Sequence, residues 1–151
     1  MLKIVEGTRP VRVSVSTGDY SHAHARATGK VLLAHSTHEA RDLYLQRHPL
    51  IAVTERTITD DSELVQVLDD VRTQGYALES EEYQSGVGCI AAPIFVDGHL
   101  LGAISVSVPM QRLTTSKDSL VDDVRTVAAE ATDVLSGTSS TSHPRQKEMR
   151  S

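Results

Sequence analysis

The stretch from residue 86 to residue 109, "GVGCIAAPIFVDGHLLGAISVSVP", constrains the fold more than any other part of the chain. Two apolar runs with β-branched enrichment flank Asp97-Gly98, a dipeptide suited to a tight hairpin turn. The sequence therefore predicts two consecutive antiparallel strands, which excludes a doubly wound parallel sheet. The runs carry one thiol, Cys89, and two hydroxyls, Ser105 and Ser107, among aliphatic neighbours. Period two puts Ala103, Ser105 and Ser107 on one face of their strand.

Whether the thiol shares that face depends on the turn. A two-residue loop pairs Val96 with His99 and sets Cys89 opposite Val106, away from the serines. A three-residue loop, with Gly98 in a left-handed bulge position, pairs Phe95 with His99 and sets Cys89 opposite Ser105. The residues slightly favour the shorter loop.

The rest of the chain supplies helices and further strands. The start, "LKIVEGTRPVRVSVSTGDY", reads as two short β segments about Thr8-Arg9-Pro10, with Val11, Val13 and Val15 alternating with polar residues. "SHAHARATGKVLLAHS" favours helix despite Gly29, which marks a close approach by a ligand or by backbone. "STHEARDLYLQRHP" carries a Ser36–Glu39 capping box and stops at Pro49. "TDDSELVQVLDDVRTQG" is the clearest helix, capped by Thr59 or Asp60, with Leu64, Val67, Leu68 and Val71 as its buried stripe and Gly75 at its end. "YALESEEY" is a short strand on which alternation places Glu79 and Glu81 together and Glu82 opposite. A last helix spans about residues 117–136, and Gly137 closes it. The order β-β-α-α-α-β-β-β-α gives an α+β fold, a mainly antiparallel sheet flanked by helices. Residues 1–136 form one domain, and the polar, Ser/Thr-rich residues 137–151 read as a disordered tail.

Bulk properties exclude several function classes. The chain has 151 residues, a net charge of -5 and 3 % aromatic residues. Its arginines, including Arg9, Arg12, Arg26 and Arg41, form no basic stripe, so direct nucleic-acid binding is not expected. One cysteine permits no internal disulfide and fits a reducing compartment. No run has the length of a membrane span and no secretory signal opens the chain, so a cytoplasmic location is expected.

Candidate chemistry is sparse. A catalytic thiol needs an electropositive setting, whereas Cys89 lies among glycines and aliphatics with carboxylates upstream, so a buried, inert thiol is expected. The pairs His22/His24 and His35/His38 lack the i, i+4 spacing of a helical metal site, and no metal or cofactor is expected. Glu79, Glu81 and Glu82 suit either acid–base work or a solvated strand end, and the latter is the preferred reading. No G-x-S-x-G elbow surrounds either serine.

"HARATGKVLLA", the run from "TITDDSELVQV" through "SVSVPMQRLT" and the final helix together resemble the effector-binding domain of IclR-type bacterial transcription regulators. The resemblance covers residues 1–136. It is carried by R-x-x-G-Y at Arg72 to Tyr76, by Glu81-Glu82, by G-V-x-C-I-A-A-P, and by S-V-S-x-P leading to Arg112. It implies a GAF-like fold, no enzymatic activity, and a small organic acid as effector. It carries over backbone amides of Ala27 and Thr28, and side chains of Glu79, Cys89, Ser105 and Ser107, as ligand-binding groups. A shared polar floor of that kind selects the odd-length hairpin loop. It also implies a homodimer or homotetramer. Operator DNA is expected to be contacted through a winged helix-turn-helix that the 151 residues lack. The departures are Glu79 in place of the usual aspartate and a shortened segment from Val15 to His24. A domain retained for oligomerisation alone, without a ligand, is the alternative.

Overall fold

The computed structural model describes residues 22–137. The expected N-terminal strands and most of the expected tail lie outside the described residues.

A three-stranded antiparallel sheet in the order β1-β2-β3 organises the domain, with β1 at Ala77–Ser80, β2 at Val87–Val96 and β3 at His99–Pro109. β1 pairs with β2 only from Gly88 to Ala91. Pro93, which has no N–H to give, therefore lies beyond the short partner strand. The hairpin has a two-residue turn, since Val96 pairs with His99. Asp97 and Gly98 both have positive φ, 50° and 78°, as the primed turn that matches strand twist requires.

The odd-length loop selected by the resemblance is thus incorrect. The structure changes parity elsewhere: Phe95 pairs with Leu100 and Ile94 with Gly102, so Leu101 is an extra residue in β3. Its side chain is 62 % exposed. Beyond this bulge Cys89 faces Ser107, and Ala91 faces Ser105. The thiol and hydroxyls share a face through a bulge on a two-residue hairpin.

Helices cover both sides of the sheet. On one face pack α1 (Ala27–Ala34) and α3 (Asp61–Gln74), where Val31, Leu64, Leu68 and Val71 bury against Ala77 and Ala91. On the other face packs α4 (Met110–Leu135), where Leu113, Leu120, Val121, Val124 and Ala128 bury against Ile90, Ala92 and Val108. Leu100 and Ala103 both pack on the α1 side, which the bulge between them makes sterically consistent. The result is the α+β architecture expected.

Helix ends follow the sequence with two corrections. Asp60 caps α3 by accepting from the Glu63 amide at 2.9 Å, and Gly75 ends it at φ 78°. The helix α2 (His38–Arg47) is capped by Thr37, whose hydroxyl accepts from the Ala40 amide. Ser36, the expected cap, instead donates to the Leu33 carbonyl and closes α1. α4 starts at Met110, seven residues before the expected helix, because Leu113 anchors its first turn to the sheet at 2 % exposure. Backbone at Ser116 is non-helical, just after Thr114 and Thr115 bond back to carbonyls of the preceding turn.

Candidate functional site

The start of α1 is fixed by a buried histidine and a glycine. His24 follows a short 3-10 turn (Ala23–Ala25) and is fully buried. Its Nε2 donates to the Ile51 carbonyl at 3.2 Å, which leaves Nδ1 to accept from the Tyr44 hydroxyl at 3.3 Å. Burial holds the imidazole below its ordinary pKa, consistent with a neutral ring. A Cβ on Gly29 would lie 2.1 Å from the Ala23 carbonyl oxygen, so the close approach is by backbone. Arg26 between them is extended (φ -118°, ψ 138°) and gives no side-chain cap. The amides of Ala27 and Thr28, in the first turn, have no intrahelical acceptor.

The acidic patch departs from simple alternation. β1 ends at Ser80, and Glu81 takes a left-handed φ of 61°. That turn folds Glu82 back toward Glu79, so the expected pairing of Glu79 with Glu81 on one strand face does not occur. Glu79 is 1 % exposed, and its Oε1 accepts from the amides of Glu82 and Tyr83 at 2.6 and 3.2 Å. It is a buried turn clamp, not a solvated strand end. Burial raises its pKa, opposed by those two amides, by Cys89 and by Lys30. Buried Lys30 reaches both Glu82 carboxylate oxygens at 2.6 Å. Burial still leaves the Glu82 carboxyl above its ordinary pKa, because desolvation outweighs the attraction of Lys30. Thr54 and Thr57 donate to the carbonyls of Glu81 and Glu82, lacing the turn to the segment before α3.

Cys89 lies opposite Glu79 on one side and Ser107 on the other, with Sγ 3.0 Å from the Ser107 hydroxyl. Burial first, then the Glu79 carboxylate, pushes the thiol pKa up to about 12. Such a thiol is protonated at neutral pH and is no nucleophile.

A recess of about 60 Å³ opens between α1 and this face of the sheet. Ala27, Thr28, Glu79, Cys89, Ser105 and Ser107, all six residues singled out in the sequence, line it. So do Arg26, Tyr83, Gln84 and Val87, which the sequence reasoning missed. Ser105 and Ser107 are exposed while Glu79 is sealed, so the recess has a polar mouth and a closed end. The signal for Arg26 in the sequence is its place directly before the helix-start amides. A larger open groove of about 590 Å³ runs along α4 past Pro93, Phe95, Asp122 and Arg125, and none of the six lines it.

The histidine pairs do not converge. His24 is engaged as above, His35 packs edge-on against Phe95, and His38 bonds Arg41. Among the described residues no group of three or more His, Cys, Asp or Glu side chains is arranged to hold a metal. No described helix is long and apolar enough to cross a membrane.

Comparison with known proteins matches residues 1–133 to the family described as bacterial transcriptional regulator IclR, C-terminal. The HTH-type transcriptional regulator BhcR of Paracoccus denitrificans is 37 % identical over 129 residues, covering 85 % of this chain and 46 % of that protein. The chain spans less than half the length of the curated relatives it matches. Among solved structures, a double mutant of the inducer-binding domain of PobR from Acinetobacter, complexed with 3-hydroxybenzoic acid, aligns with a TM-score of 0.70 at 31 % identity. That alignment covers 74 % of this chain and 68 % of the PobR domain. An IclR homologue from Microbacterium hydrocarbonoxydans, complexed with 4-hydroxybenzoate, aligns at 0.69 and 28 % identity, covering 78 % and 47 % of the two chains. These relatives are transcription regulators, and the domain is a regulatory one, not an enzyme.

Proposed function

Since this chain belongs to the IclR C-terminal family of bacterial transcriptional regulators, we propose that it senses a small organic acid in the recess between α1 and the sheet. One observation carries the reading: the Cys89 thiol and the hydroxyls of Ser105 and Ser107 line the same recess as the first turn of α1, whose free amides suit an anion. With the thiol protonated, these groups bind without reacting.

The size of the recess narrows the effector. Benzene occupies an engineered cavity of about 150 Å³. A recess of about 60 Å³ suits a two- to four-carbon acid rather than the hydroxybenzoates held by the PobR domain and the Microbacterium protein.

We further propose that this domain works within a cytoplasmic regulator, assembles as a homodimer or homotetramer, and leaves operator contact to a winged helix-turn-helix. The effector acts by binding one subunit arrangement more tightly than another. Its leverage is limited to that difference in affinity.

Thermal melting against glyoxylate, pyruvate, glycolate and the hydroxybenzoates tests the reading. An acid at 100 times its Kd stabilises by about 2.7 kcal/mol, a shift of several degrees for a domain of this size. A shift with a small aliphatic acid, lost in Ser105→Ala, supports it. A shift only with hydroxybenzoates refutes the size argument. No shift with any acid favours a domain kept for oligomerisation alone.

A further inference from the structure

Arg26 is the one cationic side chain lining the recess among the described residues. Its Nε and Nη2 are shielded from solvent yet have no hydrogen-bond partner among the described residues. These two nitrogens form a single edge of the guanidinium, from which two parallel N–H groups project. That edge matches the two oxygens of a carboxylate.

The stacking of Arg26 explains why the edge stays free. Its guanidinium carbon lies 3.8 Å from the centre of the Tyr83 ring. A contact of this kind engages the guanidinium through the π system and uses none of its N–H groups. Tyr83 is itself fixed, because its amide donates to buried Glu79.

Nearby carboxylates are committed elsewhere. Glu79 Oε1 accepts the Glu82 and Tyr83 amides, Glu82 pairs with Lys30, and Glu81 pairs with Arg56 and accepts the Gly86 amide. None of the ion pairs among the described residues includes Arg26. A guanidinium edge withdrawn from water without an acceptor is costly, and an arriving carboxylate relieves that cost.

We propose that Arg26 is the charge-selecting residue of the recess, its Nε/Nη2 edge taking the effector carboxylate as a bidentate pair. The rest of the acid then points toward Cys89, Ser105 and Ser107, where a hydroxyl or carbonyl oxygen finds donors. Arg26 therefore makes the site choose a carboxylate over an isosteric neutral amide. The assignment rests on the acid-sensing reading and adds a residue and a selectivity to it.

Calorimetric titration of the 151-residue chain with two matched pairs, pyruvate beside pyruvamide and glycolate beside glycolamide, tests it. Wild type is expected to prefer the acid at least about tenfold, the scale of a charge-assisted hydrogen bond. Arg26→Gln is expected to bind acid and amide within about threefold of each other. Arg26→Lys, which keeps the charge but not the two-donor edge, falls between. Should Arg26→Gln fail to fold, the lysine variant decides, by losing part of the preference. Full acid preference in either folded variant overturns the role of Arg26 and leaves acid sensing standing. Equal affinity of wild type for acid and amide overturns it too. Wild type that binds no member of either pair removes this assignment together with the small-acid reading.

Discussion

Cys89 Sγ lies 3.0 Å from the hydroxyl of Ser107, although an unbroken ladder from a two-residue turn would set that thiol opposite Val106. The extra residue Leu101 restores the match, so one bulge decides which side chains reach the recess.

This register predicts a cross-link. Directly opposed residues on antiparallel strands lie within the Cα separation a disulfide needs. Ser107→Cys is expected to cross-link with Cys89 when refolded under oxidising conditions, where the thiol ionises before burial, taking the free thiol count from two to zero. Val106→Cys, on the other face, keeps both thiols. Deleting Leu101 from the Ser107→Cys variant removes the bulge but keeps Ser107 opposite Cys89, so the cross-link persists. Cross-linking through position 106 instead would contradict the register.

The thiol itself is expected to be inert. With its pKa near 12, Cys89 stays protonated at pH 8 in the folded domain, while an unfolded cysteine is substantially ionised there. Reaction with a disulfide reagent should be slow in buffer and fast in urea. Rapid labelling of folded protein at pH 7 would show the burial to be wrong.

Glu79 gives a pH dependence of definite sign. Its folded pKa is raised above the ordinary 4.5, so the folded state holds the proton more tightly than the unfolded one. Stability from this group is greatest in acid and falls as pH rises from 4.5 through the folded pKa. Glu79→Gln retains an oxygen to accept the two turn amides and carries no charge. Its stability relative to wild type should therefore increase from pH 4 toward pH 8 in urea titrations. A decrease over that range is the contrary result.

Gly29→Ala tests the placement of the α1 start. The new methyl meets backbone, the Ala23 carbonyl, and so cannot be relieved by a rotamer change. A loss of about 1–3 kcal/mol is expected, the usual scale of overpacking. Displacement of the first turn should also weaken any acid that bound wild type. An unchanged melting temperature would mean that the two segments separate freely.

The serine face of the recess was legible in the sequence because it depends on local periodicity, whereas Ala27, Thr28, Glu79 and Cys89 came from the family resemblance. Alternation alone put Ser105 and Ser107 on one face, and the apolar stripe of α3 named Leu64, Leu68 and Val71 as buried, with Val67 only partly so. The Asp97-Gly98 turn was equally local, since both positions need positive φ. The bulge was not legible in the same way: Gly102 in an apolar run was its only mark, and a shared polar floor is met equally by an odd-length turn. The clamp of Glu79 on the Glu82 and Tyr83 amides was hidden for a similar reason. Strand alternation ends wherever one residue adopts a left-handed φ, as Glu81 does, and nothing in the residue type required it.

The sequence by itself determined the element types within residues 22–137, the α+β class, the place of the hairpin turn and the family, all of which follow from short-range pattern and motif spacing. Only the tertiary structure decided that Arg26 stacks on Tyr83 with a free edge, that Lys30 is buried on Glu82, and that the thiol faces Ser107. Those are contacts between residues 18 to 57 positions apart in the chain. They are set by how α1 and a bulged hairpin pack together, and no local propensity encodes that packing.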